Sequence, residues 1–107
     1  MPQQNTPIIS VREALHRLDS DPRTVFIDIR DYTDYNLGHI SSAINIPLWK
    51  FEHGNHLLRN SNRYIIYCEH GGTSMQIAMQ LIREGIHAET LAGGYTAYKQ
   101  YVTTHRY

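Results

Sequence analysis

The sequence predicts an α/β fold with a mainly parallel sheet, and three observations carry that prediction. Short β-branched and aromatic runs (Val25 to Ile29, Tyr64 to Tyr67, Glu89 to Ala92) alternate along the chain with segments of helical period. The run Val25-Phe26-Ile27-Asp28-Ile29-Arg30 is almost continuously apolar, which marks a central strand buried on both faces. Capping, glycine and proline signals separate the runs. With 107 residues, the chain is read as one domain over 1–107, its core about 8–104.

In chain order, Met1 to Pro7 reads as a loose arm and Ile8-Ile9 as a short strand. Ser10-Val11-Arg12-Glu13 is a capping box, in which the Ser side chain accepts from the Glu backbone N–H. Val11, Ala14, Leu15 and Leu18 then form one apolar helical face, stopped by Asp19-Ser20-Asp21-Pro22. After the central strand, Asp31 caps a short helix over Tyr32 to Leu37 that Gly38 ends. Ala43 to Ile46 is a short strand closed by Pro47. In the less patterned stretch Leu48 to Asn62, Trp49 and Phe51 are expected core anchors, and Leu57-Leu58 is expected on a short helix. The strand Tyr64 to Cys68 follows. A helix opening at Ser74 carries Met75, Ala78, Met79 and Ile82 on one face, widened by Ile77 and Leu81, with Gly85 as its stop. A short strand, Gly93-Gly94 as a turn, and a helix from Tyr95 to about Thr104 complete the chain.

The chemistry gathers at Cys68, the only cysteine, at the end of the Tyr64 strand. A lone cysteine after an apolar run is by default a small buried hydrophobe. Here Gly71-Gly72 and a helix start follow it directly. Loop N–H groups and the positive helix end favour thiolate over thiol, and the glycines let the loop curl into an anion nest. In parallel α/β sheets such a strand end is where ligands bind. A single cysteine excludes an intramolecular disulfide, a dithiol redox motif and a multi-cysteine zinc site. His53 and His56 lack a third ligand candidate and read as a surface loop, so neither a metal nor a cofactor is expected. Ten basic and ten acidic residues balance without a basic cluster, which argues against nucleic-acid and membrane-surface partners. A free thiol and a polar N-terminus without a hydrophobic signal core place the expected site of action in the cytoplasm.

Three stretches together resemble the rhodanese-like family. Asp28-Ile29-Arg30, Tyr35 and Gly38-His39-Ile40-Ser41-Ser42-Ala43-Ile44-Asn45-Ile46-Pro47 are similar to its first signature. Tyr67-Cys68-Glu69-His70-Gly71-Gly72-Thr73-Ser74 lies where that family has its active-site loop, and Leu91-Ala92-Gly93-Gly94-Tyr95-Thr96-Ala97-Tyr98 resembles its C-terminal signature. The resemblance spans about Ile8 to Tyr101. It implies a three-layer domain, a parallel sheet of about five strands with helices on both faces. It also implies a sulfurtransferase in which Cys68 takes sulfane sulfur from thiosulfate, a polysulfide or a persulfide. Cys68 would hold that sulfur as a persulfide and pass it to a thiol or cyanide acceptor. Glu69, His70, Gly71, Gly72, Thr73 and Ser74 would bind the donor, while Asp28, Arg30 and His39 would be structural supports. His70 has three roles open to it: tuning Cys68, contacting the donor, or facing solvent.

Of three departures from the family pattern, the first two bear on chemistry. Glu69 stands where the family commonly has a cation, Thr73 where it commonly has arginine, and Ser42 where the first signature has glycine. A carboxylate beside Cys68 should raise the thiol pKa and repel a dianion, so thiosulfate is expected to be a poor donor and a persulfide or polysulfide a better one. Only local backbone effects are expected of Ser42. A related phosphatase would need an arginine at Ser74, and no Arg or Lys occurs between Cys68 and Arg83. The other alternative is a docking, regulatory or sulfur-relay module whose partner is chosen by the surface around Leu48 to Arg63.

Overall fold

The computed structural model describes residues 7–105. Residues Met1 to Thr6 of the expected arm, and Tyr107, lie outside the described residues. Among the described residues, five strands and five helices alternate: β1 (Ile8–Ile9), α1 (Val11–Ser20), β2 (Thr24–Asp28), α2 (Tyr32–Leu37), β3 (Ile44–Asn45), α3 (Leu48–Glu52), β4 (Arg63–Tyr67), α4 (Gly72–Arg83), β5 (Ala88–Leu91) and α5 (Gly94–His105). They form one five-stranded sheet in the order β1-β5-β4-β2-β3, and every pairing is parallel. The predicted α/β class, with helices on both faces, is therefore the observed one.

Alternation along the strands divides the core in two. Phe26, Ile65 and Tyr67 face one layer with Val11, Ala14 and Leu15 of α1, against which Tyr95, Tyr98 and Tyr101 of α5 also pack. Ile27, Tyr64 and Ile66 face the other layer with Phe51 of α3 and Ile77, Ala78 and Leu81 of α4. The same parity turns Cys68, next after β4, toward the α4 side, where it packs at the edge of the second layer.

Several local expectations hold. The Ser10 side chain accepts from the Glu13 N–H at 3.1 Å. Gly38 and Gly85 follow the ends of α2 and α4, Gly85 at φ +82°. Others are corrected. Leu57-Leu58 is not helical: Leu57 is 86% exposed at φ +60°, and the helix of that region is α3. Phe51 is buried, but Trp49 is 51% exposed, because on a five-residue helix only one side can reach the sheet. The buried stripe of α4 is Ser74, Ile77, Ala78 and Leu81, with Met75 and Met79 half-buried and Ile82 exposed. Polar Ser74 faces inward, which a count of apolar positions does not register. His56 is no free surface residue; it stacks on Phe51 and pairs with Glu84 at 2.9 Å. Ser42 keeps a glycine-like backbone at φ +72°, at a strain cost of about 1–2 kcal/mol.

Candidate active site

β4 is the central strand, and its carboxyl end delivers Cys68 into the turn before α4. Gly71, at φ +106°, caps that helix in a left-handed conformation that a side chain would strain. The helix therefore begins at Gly72, two positions before the expected start, and Ser74 sits inside its first turn. Gly72 has open space where a Cβ would lie, so of the expected glycine pair only Gly71 is needed for the curl.

The curl converges on sulfur. The Gly71 N–H donates to Cys68 Sγ at 3.1 Å and the Ser74 N–H at 3.4 Å, while Ser74 Oγ lies 3.4 Å from Sγ. The half-buried thiol feels two opposed influences. Burial pushes its pKa up, and the bonds from the Ser74 side chain and from the Ser74, Gly71 and His70 N–H groups outweigh it. The net result is a thiol held below the ordinary cysteine value. The start of α4 adds the positive end of its dipole.

The other side of the loop is held by α5. The Tyr95 N–H donates to the Cys68 carbonyl at 2.9 Å and the Thr96 N–H to the Glu69 carbonyl at 3.1 Å. Cys68 thus points its carbonyl at one helix start and its sulfur at another. Gly94, at φ +64°, makes this approach possible: a Cβ there would lie 2.6 Å from the Cys68 oxygen.

Asp28 and Arg30 lie beside the loop. Asp28 is fully buried and accepts from the Arg30 backbone N–H at 2.9 Å and from Nη2 at 2.8 Å. Arg30 Nη2 also donates to the Gly38 carbonyl at 2.7 Å. Burial would lower the guanidinium pKa, but the bond and charge of Asp28 hold it above its ordinary value. Its Cζ sits 4.1 Å from the Tyr95 ring centroid, a cation–π contact. Asn45 Nδ2 donates to both the Asp28 and Arg30 carbonyls at 2.9 Å, fixing the chain between them.

Glu69 does not act as expected of a carboxylate beside the thiol. Its Oε1 accepts from Arg30 Nη1 at 3.2 Å and its Oε2 from Thr96 Oγ1 at 3.0 Å. Partial burial raises its pKa, but these bonds outweigh it and keep Glu69 ionised. The expected rise in the Cys68 pKa does not occur, because loop donors reach sulfur directly while the carboxylate is turned to Arg30 and Thr96.

Of the sequence-predicted residues, Gly71 and Ser74 meet Cys68, and Thr73 lines its cleft. His70 is exposed, with Nδ1 3.4 Å from Thr96 Oγ1. His39 is also exposed, stacking on Tyr35 and donating from Nδ1 to the Tyr35 carbonyl at 2.8 Å, apart from the Asp28–Arg30 pair. The cleft of about 250 Å³ holding Cys68 is further lined by Ile29, Arg30, Asp31, Asp34 and Leu48. Sequence reasoning missed Asp31, Asp34 and Leu48 as cleft residues, Thr96 as the Glu69 partner, and Tyr95 as the cover over Arg30. It also missed Thr90, whose Oγ1 lies 2.6 Å from Ser74 Oγ. A hydroxyl inside a buried strand was the available signal for Thr90.

Fold and loop together define a parallel α/β domain whose candidate site is a cysteine-centred anion nest at the carboxyl end of its central strand. The chain belongs to the rhodanese-like domain family, whose model matches residues 10–101. It is similar to the thiosulfate sulfurtransferase GlpE of Coxiella burnetii, 27% identical over 81 residues, covering 75% of this chain and 76% of that one. It is 32% identical over 80 residues to the putative sulfur carrier protein YrkF of Bacillus subtilis, covering 74% of this chain but 43% of the relative. A crystal structure of a rhodanese-related protein from Thermoplasma volcanium shares the fold, with TM-score 0.78 and 20% identity, over 87% of this chain and 90% of that one. No helix among the described residues is long and apolar enough to cross a membrane.

Proposed function

We propose that this chain is a sulfurtransferase that carries sulfane sulfur as a persulfide on Cys68. The observation that carries the reading is the convergence of the Gly71 and Ser74 N–H groups on Sγ at 3.1 and 3.4 Å. The Cys68 thiolate attacks the outer sulfur of the donor. The bond from that sulfur to the donor breaks and its electron pair leaves with the donor, as sulfite from thiosulfate or as a thiolate from a persulfide. The persulfide anion on Cys68 has the same need for N–H donors as the thiolate. A thiol or cyanide acceptor then takes the outer sulfur and returns the thiolate.

Charge at the cleft supports a persulfide or polysulfide over thiosulfate as donor. Among the described residues, Arg30 is the one basic side chain lining the Cys68 cleft, and it is bonded to both Asp28 and Glu69. The three groups together leave one negative charge, and Asp31 and Asp34 line the same cleft. A dianionic donor meets repulsion there.

Intact-protein mass after brief exposure to thiosulfate or to polysulfide tests both readings, with Cys68→Ser alongside. A sulfur gained by the wild type alone, and removed by cyanide or a thiol, is the expected result. Equal labelling of Cys68→Ser would reject Cys68 as the carrier. Glu69→Gln keeps side-chain bonding capacity while removing a charge, and should raise kcat/KM for thiosulfate roughly three- to tenfold. An unchanged value would reject the electrostatic account of donor choice.

A further inference from the structure

We infer that Thr90 is a positioning residue for Cys68, acting through Ser74 as the outer member of a buried two-hydroxyl relay that ends on sulfur. The inference deepens the proposed role of Cys68 and rests on it for its consequence in turnover. Thr90 lies on β5, paired in register with Ile66 of β4 and Ile8 of β1, and is 1% exposed. Such a position between two neighbouring strands is ordinarily apolar, because a buried hydroxyl must find a partner. Among the described residues, the hydrogen-bond partner of Thr90 Oγ1 is Ser74 Oγ at 2.6 Å. Ser74 is itself fully buried, with Oγ 3.4 Å from Sγ and 3.2 Å from the Gly71 carbonyl oxygen.

Donor and acceptor counting gives the relay a direction. With a neutral thiol, the S–H donates to Ser74 Oγ, and the Ser74 hydroxyl donates onward to the Gly71 carbonyl or to Thr90. With a thiolate, sulfur only accepts, so the Ser74 O–H must turn to it. The Ser74 lone pairs then need a donor in a place closed to solvent, and the Thr90 O–H supplies it. Ionisation therefore turns the Ser74 O–H to sulfur by rotation alone and leaves Thr90 as the donor behind it. A donor behind Ser74 polarises its O–H and strengthens the bond to the anion. Thr90 touches neither donor nor sulfur; its effect passes through Ser74.

A different reading of the same contact is a plain tie between α4 and β5. That reading predicts a loss of stability with no change in thiol ionisation. The pH dependence of iodoacetamide alkylation reads the thiolate directly, without any sulfur donor, and so separates failure of the relay from failure of the sulfurtransferase reading. Thr90→Val keeps a β-branched side chain and removes the hydroxyl. It should move the alkylation midpoint upward and slow alkylation at neutral pH about threefold, and Ser74→Ala about tenfold. In Ser74→Ala/Thr90→Val, the second change should add less than about twofold, because its route to sulfur is gone. Thr90→Ser should restore the wild-type midpoint. Thermal unfolding of each variant establishes that the folded protein is being titrated. A Thr90→Val midpoint equal to wild type, or independent effects of the two substitutions, would overturn the inference. If Thr90→Val does not fold, Thr90→Ser and Thr90→Cys decide it: the hydroxyl variant must match wild type and the weaker donor must shift upward.

Discussion

Removing the Asp28 carboxylate should cost far more than its place beside the site implies. Asp28 is 0% exposed and the Arg30 side chain 7% exposed, so the pair is withdrawn from water. Breaking a buried ion pair from one side leaves an uncompensated charge and typically costs about 3–5 kcal/mol. In Asp28→Asn the guanidinium keeps the Gly38 carbonyl at 2.7 Å, Glu69 at 3.2 Å and the Tyr95 ring face. Those contacts place the expected loss at the lower end, about 3 kcal/mol. At about 4 °C per kcal/mol for a chain of this size, the melting temperature should fall by roughly 12 °C. Urea unfolding followed by far-ultraviolet circular dichroism measures the loss. The charge argument makes a second demand: Asp28→Leu/Arg30→Met, which removes both charges, should lie within about 1–2 kcal/mol of wild type. A loss below about 1 kcal/mol in Asp28→Asn would refute the reasoning. So would a double variant less stable than the single one.

Two further predictions separate space from strain and core from surface. Gly94→Ala should destabilise the protein by more than about 2 kcal/mol and suppress sulfur loading of Cys68, because the new Cβ meets the Cys68 and Glu69 carbonyl oxygens at 2.6 and 2.7 Å. Gly54→Ala, at φ +70° with open space around the Cβ, should cost only the backbone strain of about 1–2 kcal/mol; equal losses by denaturant titration would contradict the clash. Phe51→Ala should cost about 3–5 kcal/mol, whereas Trp49→Ala should stay within about 1 kcal/mol, despite their proximity in sequence. Comparable losses on denaturation would place Trp49 in the core.

Periodicity and punctuation are local properties, and this sequence is locally consistent with its fold. The near-continuous apolar run marks β2 as a buried inner strand, the apolar run before Cys68 marks β4 as a strand, the Ser10–Glu13 box starts α1, and the alternation of strands and helices defines the α/β class. Cys68, Gly71 and the following helix are contiguous, so the anion nest is legible as a motif. Where contacts come from distant elements, local pattern is silent. Trp49 and Phe51 look equivalent in sequence, and only the docking of a five-residue helix decides which is buried. Leu57 looks apolar and helical, yet it lies in an irregular segment at φ +60° and is exposed.

What the sequence by itself determined is the fold class, the family resemblance and the loop built around Cys68. Only the tertiary structure decided the electrostatics of that loop. Glu69 stands next to Cys68 in sequence, and its charge reads as a threat to the thiolate. In space it is drawn to Arg30 from the end of β2 and to Thr96 from α5. Thr90 is far from Cys68 along the chain, and the parallel pairing of β4 with β5 sets it behind Ser74. The physical reason is common to both. Charge interactions and hydrogen bonds depend on distance and direction in space, and those are set by which strands pair and which helices cover them.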